Sequence, residues 1–166
     1  GNRDLFALTL PPSCRWTGDH LELLDQRQLP GAVVFMQLQV WQQVAEAITT
    51  MAVRGAPAIG IAAAWGVVLA ARSGDDITSA IRGLRASRPT AVNLGWALNR
   101  MQASIASSSS VDVEALAGVA AALHNEDRLL NQRLVDHGVS LLPQDCRVLH
   151  HCHTGGIATG GIGTAL

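Results

Sequence analysis

Residues 54–72 read RGAPAIGIAAAWGVVLAAR, and the organisation of the chain follows from them. Gly55 ahead of Pro57 marks a tight turn into a helix, because a proline in the first turn forfeits only an N–H that has no partner there anyway. From Ala58 to Ala71 every residue is apolar or glycine. A helix apolar on all sides is buried on most of them, and the run is shorter than the roughly 20 residues that span a bilayer. The stretch predicts a buried central helix over about 57–72, with Gly60 and Gly66 admitting close neighbours.

Working towards the N-terminus, Val44, Ala45, Ile48 and Met51 recur at helical spacing, with Gln42, Gln43, Glu46 and Thr49 opposite. That predicts a helix from Trp41, ended by Arg54-Gly55. Before it, Arg15-Trp16 and His20 to Leu24 flank Thr17-Gly18-Asp19, the pattern of two short strands around a turn. Asp25 to Gly31 carries turn chemistry, and Ala32 to Val40 suits a third strand.

Towards the C-terminus, Asp75-Asp76 opens a third helix with Ile77, Ala80, Ile81 and Leu84 inward. Thr90 is the expected cap of a fourth, running to about Ile105. A polar linker, Ser107–Ser110, precedes a long helix from Val111-Asp112 to about His137, closed by Gly138. Asp145 to His151 then suits a strand that runs into a glycine-laden loop, Thr154 to Gly163. A strand followed by such a loop is how an α/β nucleotide-type domain starts. The expected fold is an α+β N-terminal domain over 1–138, a small antiparallel β-sheet plus a helical bundle. The first strand and loop of a Rossmann-like α/β domain follow in 139–166. The Gly1 start and the glycine-rich end read as cut, and the loop is expected to be mobile.

Composition narrows the chemistry. Hydrophobic residues are 48% and charged residues 15% of the 166, with twelve basic and thirteen acidic groups giving a net charge of −1. Such a balance argues against a nucleic-acid coat or a membrane-surface patch. Every basic residue is arginine and there is no tyrosine, which excludes a lysine Schiff base, a P-loop lysine and a tyrosine acid or base. Three cysteines, Cys14, Cys146 and Cys152, are an odd number without framework spacing, as in a reducing, cytoplasmic compartment.

Arg54-Gly55-Ala56-Pro57 leads into a helix N-terminus, whose free N–H groups and dipole favour an anion that Arg54 can clamp. The same motif is also consistent with a plain helix corner. Arg88, before Pro89-Thr90, is a second cation at a helix start. Three histidines surround Cys152 in His150-His151-Cys152-His153, but neighbours on a strand face opposite ways, which argues against a metal site. Cys152, at a strand end facing a loop of N–H groups, fits a thiol that gives or takes a proton, or alternatively a buried structural cysteine. Cys14 and Cys146 read as structural, and Trp16, Trp41, Trp65 and Trp96 as packing residues.

Three blocks, Trp16–His20 with Leu24–Pro30, Arg54–Gly60, and Leu149–Gly155 with Gly163–Leu166, resemble the methylthioribose-1-phosphate isomerase family. Its wider group includes ribose-1,5-bisphosphate isomerase and non-catalytic subunits of a translation-initiation exchange factor. The resemblance implies a substrate site between two domains, in a homodimer, without metal or redox cofactor. Arg54, Gly55 and Ala56 would contact the phosphate of a small sugar phosphate with help from Arg88. Cys152 matches the catalytic cysteine, and its aspartate partner would lie in the C-terminal domain, so this chain alone would be inactive. The family pattern has Asn where His153 stands and Tyr where Ile162 stands.

Overall fold

The centre of the molecule is helix α2, Ala56–Ser73. The structure, a computed structural model, describes residues 11–107 and 110–164. Gly1, Ser108 and Ser109 of the polar linker, and Ala165 and Leu166 lie outside the described residues. Thirteen residues of α2, Ala58 to Ala70, are buried. It packs against all four other helices and against strands β1 (Cys14–Trp16) and β2 (Leu21–Leu24), so its uniform apolarity is explained by burial. By length and composition it would also reach across a bilayer, but 72% of it is inside the protein. Gly60 is required where helix α4 (Val92–Ala106) crosses, because a Cβ there would sit 2.8 Å from the Asn93 carbonyl oxygen.

Around this axis stand α1 (Trp41–Thr49), α3 (Ile77–Ser87), α4 (Val92–Ala106) and α5 (Val113–Val139). Two of the expected starts are capped as their chemistry requires. Asp76 accepts from the N–H groups of Thr78 and Ser79, and Asp112 from those of Glu114 and Ala115. Thr90 does not cap α4; Ala91 holds that position with no side-chain bond. Gly138 lies inside α5, which runs to Val139. Helix α1 ends at Thr49, earlier than the periodicity suggests, so Met51 stands outside it at φ 58 and is half exposed.

The small sheet is as expected in kind. β1 (Cys14–Trp16), β2 (Leu21–Leu24) and β3 (Phe35–Leu38) form an antiparallel meander in the order β1-β2-β3. Cys14 faces Leu23 and Leu23 faces Met36, and the inward leucines join the core around α2. Trp16 stacks on Trp65 with centroids 4.6 Å apart. Burial pushes the Cys14 thiol up to about 12, against a smaller opposing effect of the Ser13 hydrogen bond, which suits its expected structural role. Trp96 departs from expectation: it is 50% exposed and carries the Arg100 guanidinium at 5.3 Å.

The stretch beyond α5 corrects two expectations. Asp145 to His151 is not a strand; it is irregular and exposed, and it forms no ladder with other described residues. A β-strand satisfies its backbone groups through neighbours, and none adjoins it here. The glycine-rich loop, in turn, is packed rather than loose. Gly156, Ala158, Thr159, Gly160 and Gly163 are buried, around a short 3-10 turn at Gly156–Ala158. The Ser13 hydroxyl donates to the Thr159 carbonyl at 2.8 Å, and the Gly160 N–H donates to Asp127 at 2.7 Å. His124 Nε2 lies 2.7 Å from the Gly160 carbonyl oxygen.

Candidate active site

Two segments far apart in sequence meet at the N-terminus of α2. The turn before the helix is made by Gly55, whose φ is 98. Its carbonyl accepts the first bond of α2, from Ile59 at 3.0 Å. The first turn of the helix leaves the Ala56 and Ala58 N–H groups without intrahelical acceptors, and Pro57 has none to offer. On the other side, Ala158 presses against Gly55. A Cβ built on Gly55 would lie 2.5 Å from the Cα, Cβ and carbonyl oxygen of Ala158. Glycine is therefore needed twice here, for its backbone angle and for its missing side chain.

This juxtaposition opens a cleft of about 280 Å3, lined by Gln26, Arg54, His150, Cys152, His153, Thr154, Gly155, Ile157 and Ala158. Arg54 is exposed, and among the described residues no carboxylate pairs with it. Cys152 is also exposed, in the left-handed region at φ 68, an uncommon conformation for a residue with a side chain. Arg54, which brings a guanidinium, and Cys152, which brings a thiol, thus line one small space, and the first turn of α2 begins two residues after Arg54. That arrangement can hold a phosphate ester at one end and exchange a proton at the other.

Of the residues singled out from the sequence, Arg54 and Cys152 line this cleft, Gly55 shapes it, and Ala56 opens the helix beside it. Arg88 is not among its lining; it sits half-buried at the end of α3. Cys146 is exposed and outside the lining. Among the described residues no three His, Cys, Asp or Glu side chains gather as a metal site would need. A larger groove, about 390 Å3, lies between α2, α4 and α5 and includes Pro57, Trp96, Leu123 and Leu130. It is mainly apolar, with Glu126 and Asp127 as its charged groups and neither a cation nor a thiol, so the smaller cleft holds the more capable chemistry.

Sequence reasoning missed Gln26. Its side-chain amide donates to the Arg54 carbonyl at 3.2 Å and to the Ile157 carbonyl at 2.9 Å. Next to it, Asp25 is 4% exposed and receives two bonds from the Arg27 guanidinium, at 2.7 and 2.9 Å. Those bonds hold the Asp25 carboxyl below the usual carboxylate range, against the opposing effect of burial. In the sequence Asp25-Gln26-Arg27 reads as a polar turn; the signal was a polar trio directly after the apolar Leu23-Leu24.

The double requirement at Gly55 makes a prediction. Gly55→Ala adds backbone strain of about 1–3 kcal/mol and a steric overlap of similar size, so a loss of roughly 2–6 kcal/mol is expected. Denaturant midpoints of the substituted and unsubstituted chains measure it. A shift below about 0.5 kcal/mol would mean that the loop at Ala158 moves away freely.

A family model described as the Initiation factor 2 subunit family matches residues 52–165. The chain is 83% identical over 159 residues to a methylthioribose-1-phosphate isomerase of Synechococcus sp. (strain CC9605), covering 96% of this chain and 47% of that protein. Among solved structures it is similar to 5-methylthioribose 1-phosphate isomerase from Pyrococcus horikoshii OT3, Form II, with a TM-score of 0.85 and 33% identity, over 93% of this chain and 47% of that one. It is also similar to translation initiation factor eIF-2B, subunit delta, from A. fulgidus, with a TM-score of 0.76 and 32% identity, over 92% of this chain and 48% of that one. The chain spans about half the length of the curated relatives it matches.

Proposed function

The chain belongs to the Initiation factor 2 subunit family, and from that premise we propose that the protein containing it converts 5-methylthioribose 1-phosphate to 5-methylthioribulose 1-phosphate, a step of methionine salvage. The observation that carries this reading is the cleft lined by both Cys152 and Arg54, the latter just ahead of the α2 N-terminus. The 83% identity to a protein of that name supports the choice of substrate.

The reaction moves hydrogen within one molecule. The bond between C1 and the ring oxygen breaks, and that oxygen gains a proton. The C2 hydroxyl loses its proton and becomes a carbonyl, and the hydrogen on C2 moves to C1. Nothing is oxidised or reduced overall, so the reading calls for no redox cofactor. The phosphate on C1 is a fixed anion through the whole sequence, and the α2 N-terminus with Arg54 suits it. Cys152 supplies one transferable proton, and a carboxylate in the other half of the protein supplies the opposing base. The hydrogen on C2 travels either as a proton through an enediol or as a hydride.

Residues 139–166 are read as the entry to a Rossmann-like domain, with 1–138 as the first domain. The unpaired Asp145–His151 stretch would gain its strand partners there. The apolar side chains exposed along the groove between α2, α4 and α5, Val92 at 82% and Leu130 at 63%, give such a domain a surface to cover. The whole protein is read as a cytoplasmic homodimer acting on a small sugar phosphate, with no nucleic acid or membrane partner. Arg88 would join the phosphate grip once substrate is bound, and the 166-residue chain by itself would show negligible turnover. A regulatory subunit of the eIF-2B kind is the competing reading; it has no use for a thiol opposite an arginine.

Turnover of the intact protein decides between them. The expected result is isomerisation of methylthioribose 1-phosphate in preference to ribose 1,5-bisphosphate. Preference for the bisphosphate would move the assignment to the sister isomerase, and turnover of neither would favour the regulatory reading.

A further inference from the structure

Gln26 touches both walls of the cleft. Its one amide nitrogen donates to Arg54 on the phosphate side and to Ile157 on the Cys152 side, across 28 and 131 residues of sequence. The side chain is held firmly. Gln26 is 6% exposed, and its backbone N–H donates to the Ala52 carbonyl at 2.8 Å. The residue before it is tied at both ends, by its N–H to the Val34 carbonyl at 2.9 Å and by its carboxylate to Arg27. Two carbonyl oxygens that point at one place repel each other unless a donor with two hydrogens sits between them, and a primary amide is the neutral side chain that provides this. An acceptor-only or apolar group at that place would deprive both part-buried carbonyls of this donor.

We propose that Gln26 is a positioning residue, which sets the gap between the Arg54 grip and the Cys152 loop. The inference rests on the isomerase reading above. It assigns Gln26 no contact with the reacting atoms; its effect passes through the placement of Cys152 relative to a bound phosphate. Proton transfer depends steeply on such placement, since a misplacement of about 1 Å can cost about 100-fold in rate.

The test uses the intact protein and two variants, Gln26→Met, similar in length but apolar, and Gln26→Glu, the same shape without donors. For both, kcat with methylthioribose 1-phosphate is expected to fall at least about 10-fold while substrate Kd changes less than about threefold. A residue that matters to folding alone would lower the thermal midpoint and leave kcat unchanged well below it. A second readout does not need turnover. Inorganic phosphate is expected to slow alkylation of Cys152 at least about fivefold in the unsubstituted protein and less than about twofold in either variant, with exposed Cys146 as internal reference. Turnover within twofold of the unsubstituted protein, in a variant that folds, overturns the proposal. Equal phosphate protection in variant and parent overturns it too. If the unsubstituted protein turns over neither sugar phosphate, the isomerase reading fails, and the protection ratio still decides the role of Gln26. If Gln26→Met does not fold, Gln26→Glu carries both measurements.

Discussion

Cys152→Ser in the intact protein is expected to reduce kcat by about 10²–10⁴-fold, the usual worth of a positioned acid or base. Serine preserves the size and the hydrogen-bonding directions of the side chain. It is a far weaker acid than a thiol, so the proton delivered from this position is lost while the cleft keeps its shape. Substrate affinity is expected to change little, because the proposed phosphate grip is a different lining residue, Arg54. Cys146→Ser serves as the control: that residue is exposed and outside the cleft, and its replacement is expected to leave turnover intact. Steady-state kinetics on the two variants give the answer. If Cys152→Ser keeps more than about a tenth of the activity, the thiol is not the proton carrier.

Arg54→Ala is expected to weaken binding of the phosphate ester by about 10- to 150-fold, corresponding to a charge-assisted contact of about 1.5–3 kcal/mol. The side chain is exposed and has no carboxylate partner among the described residues, so folding has little invested in it. Its backbone carbonyl, which accepts from Gln26, is unaffected by the substitution. Substrate Kd and the thermal midpoint, measured on one preparation, separate the two roles. A lowered midpoint with unchanged affinity would make Arg54 a corner residue of the α1–α2 turn.

The contrast between what was legible and what was not follows the range of the interactions. Helix α2 could be read because its burial is written in consecutive residues, and Asp76 and Asp112 because a cap acts within three positions of itself. Thr90 had the right chemistry one residue too early. The end of α1 is not encoded in periodicity, because Met51 continues the apolar spacing after the helix has stopped. The strand expected at Asp145–His151 has a suitable composition, but a strand exists through its partners, and its own residues do not contain them. At the site, Arg54, Gly55 and Cys152 were legible through local motifs. Gln26, Ser13 and Asp127 were not. Each acts by holding a segment more than 30 residues away, and no spacing rule reports that. Gly55 shows both kinds of information at once. Its turn is local, and the pressure from Ala158 is visible only in three dimensions.

The central claim is that the α2 N-terminus and the Cys152 loop form one substrate site. A crystal structure of the intact protein with bound 5-methylthioribulose 1-phosphate tests it most directly. The account predicts phosphate oxygens within about 3 Å of the Arg54 guanidinium and of N–H groups in the first turn of α2, with the sugar carbons lying against the Cys152 thiol. A phosphate held elsewhere, such as in the groove between α2, α4 and α5, with Arg54 in solvent and Cys152 remote from the sugar, would contradict it.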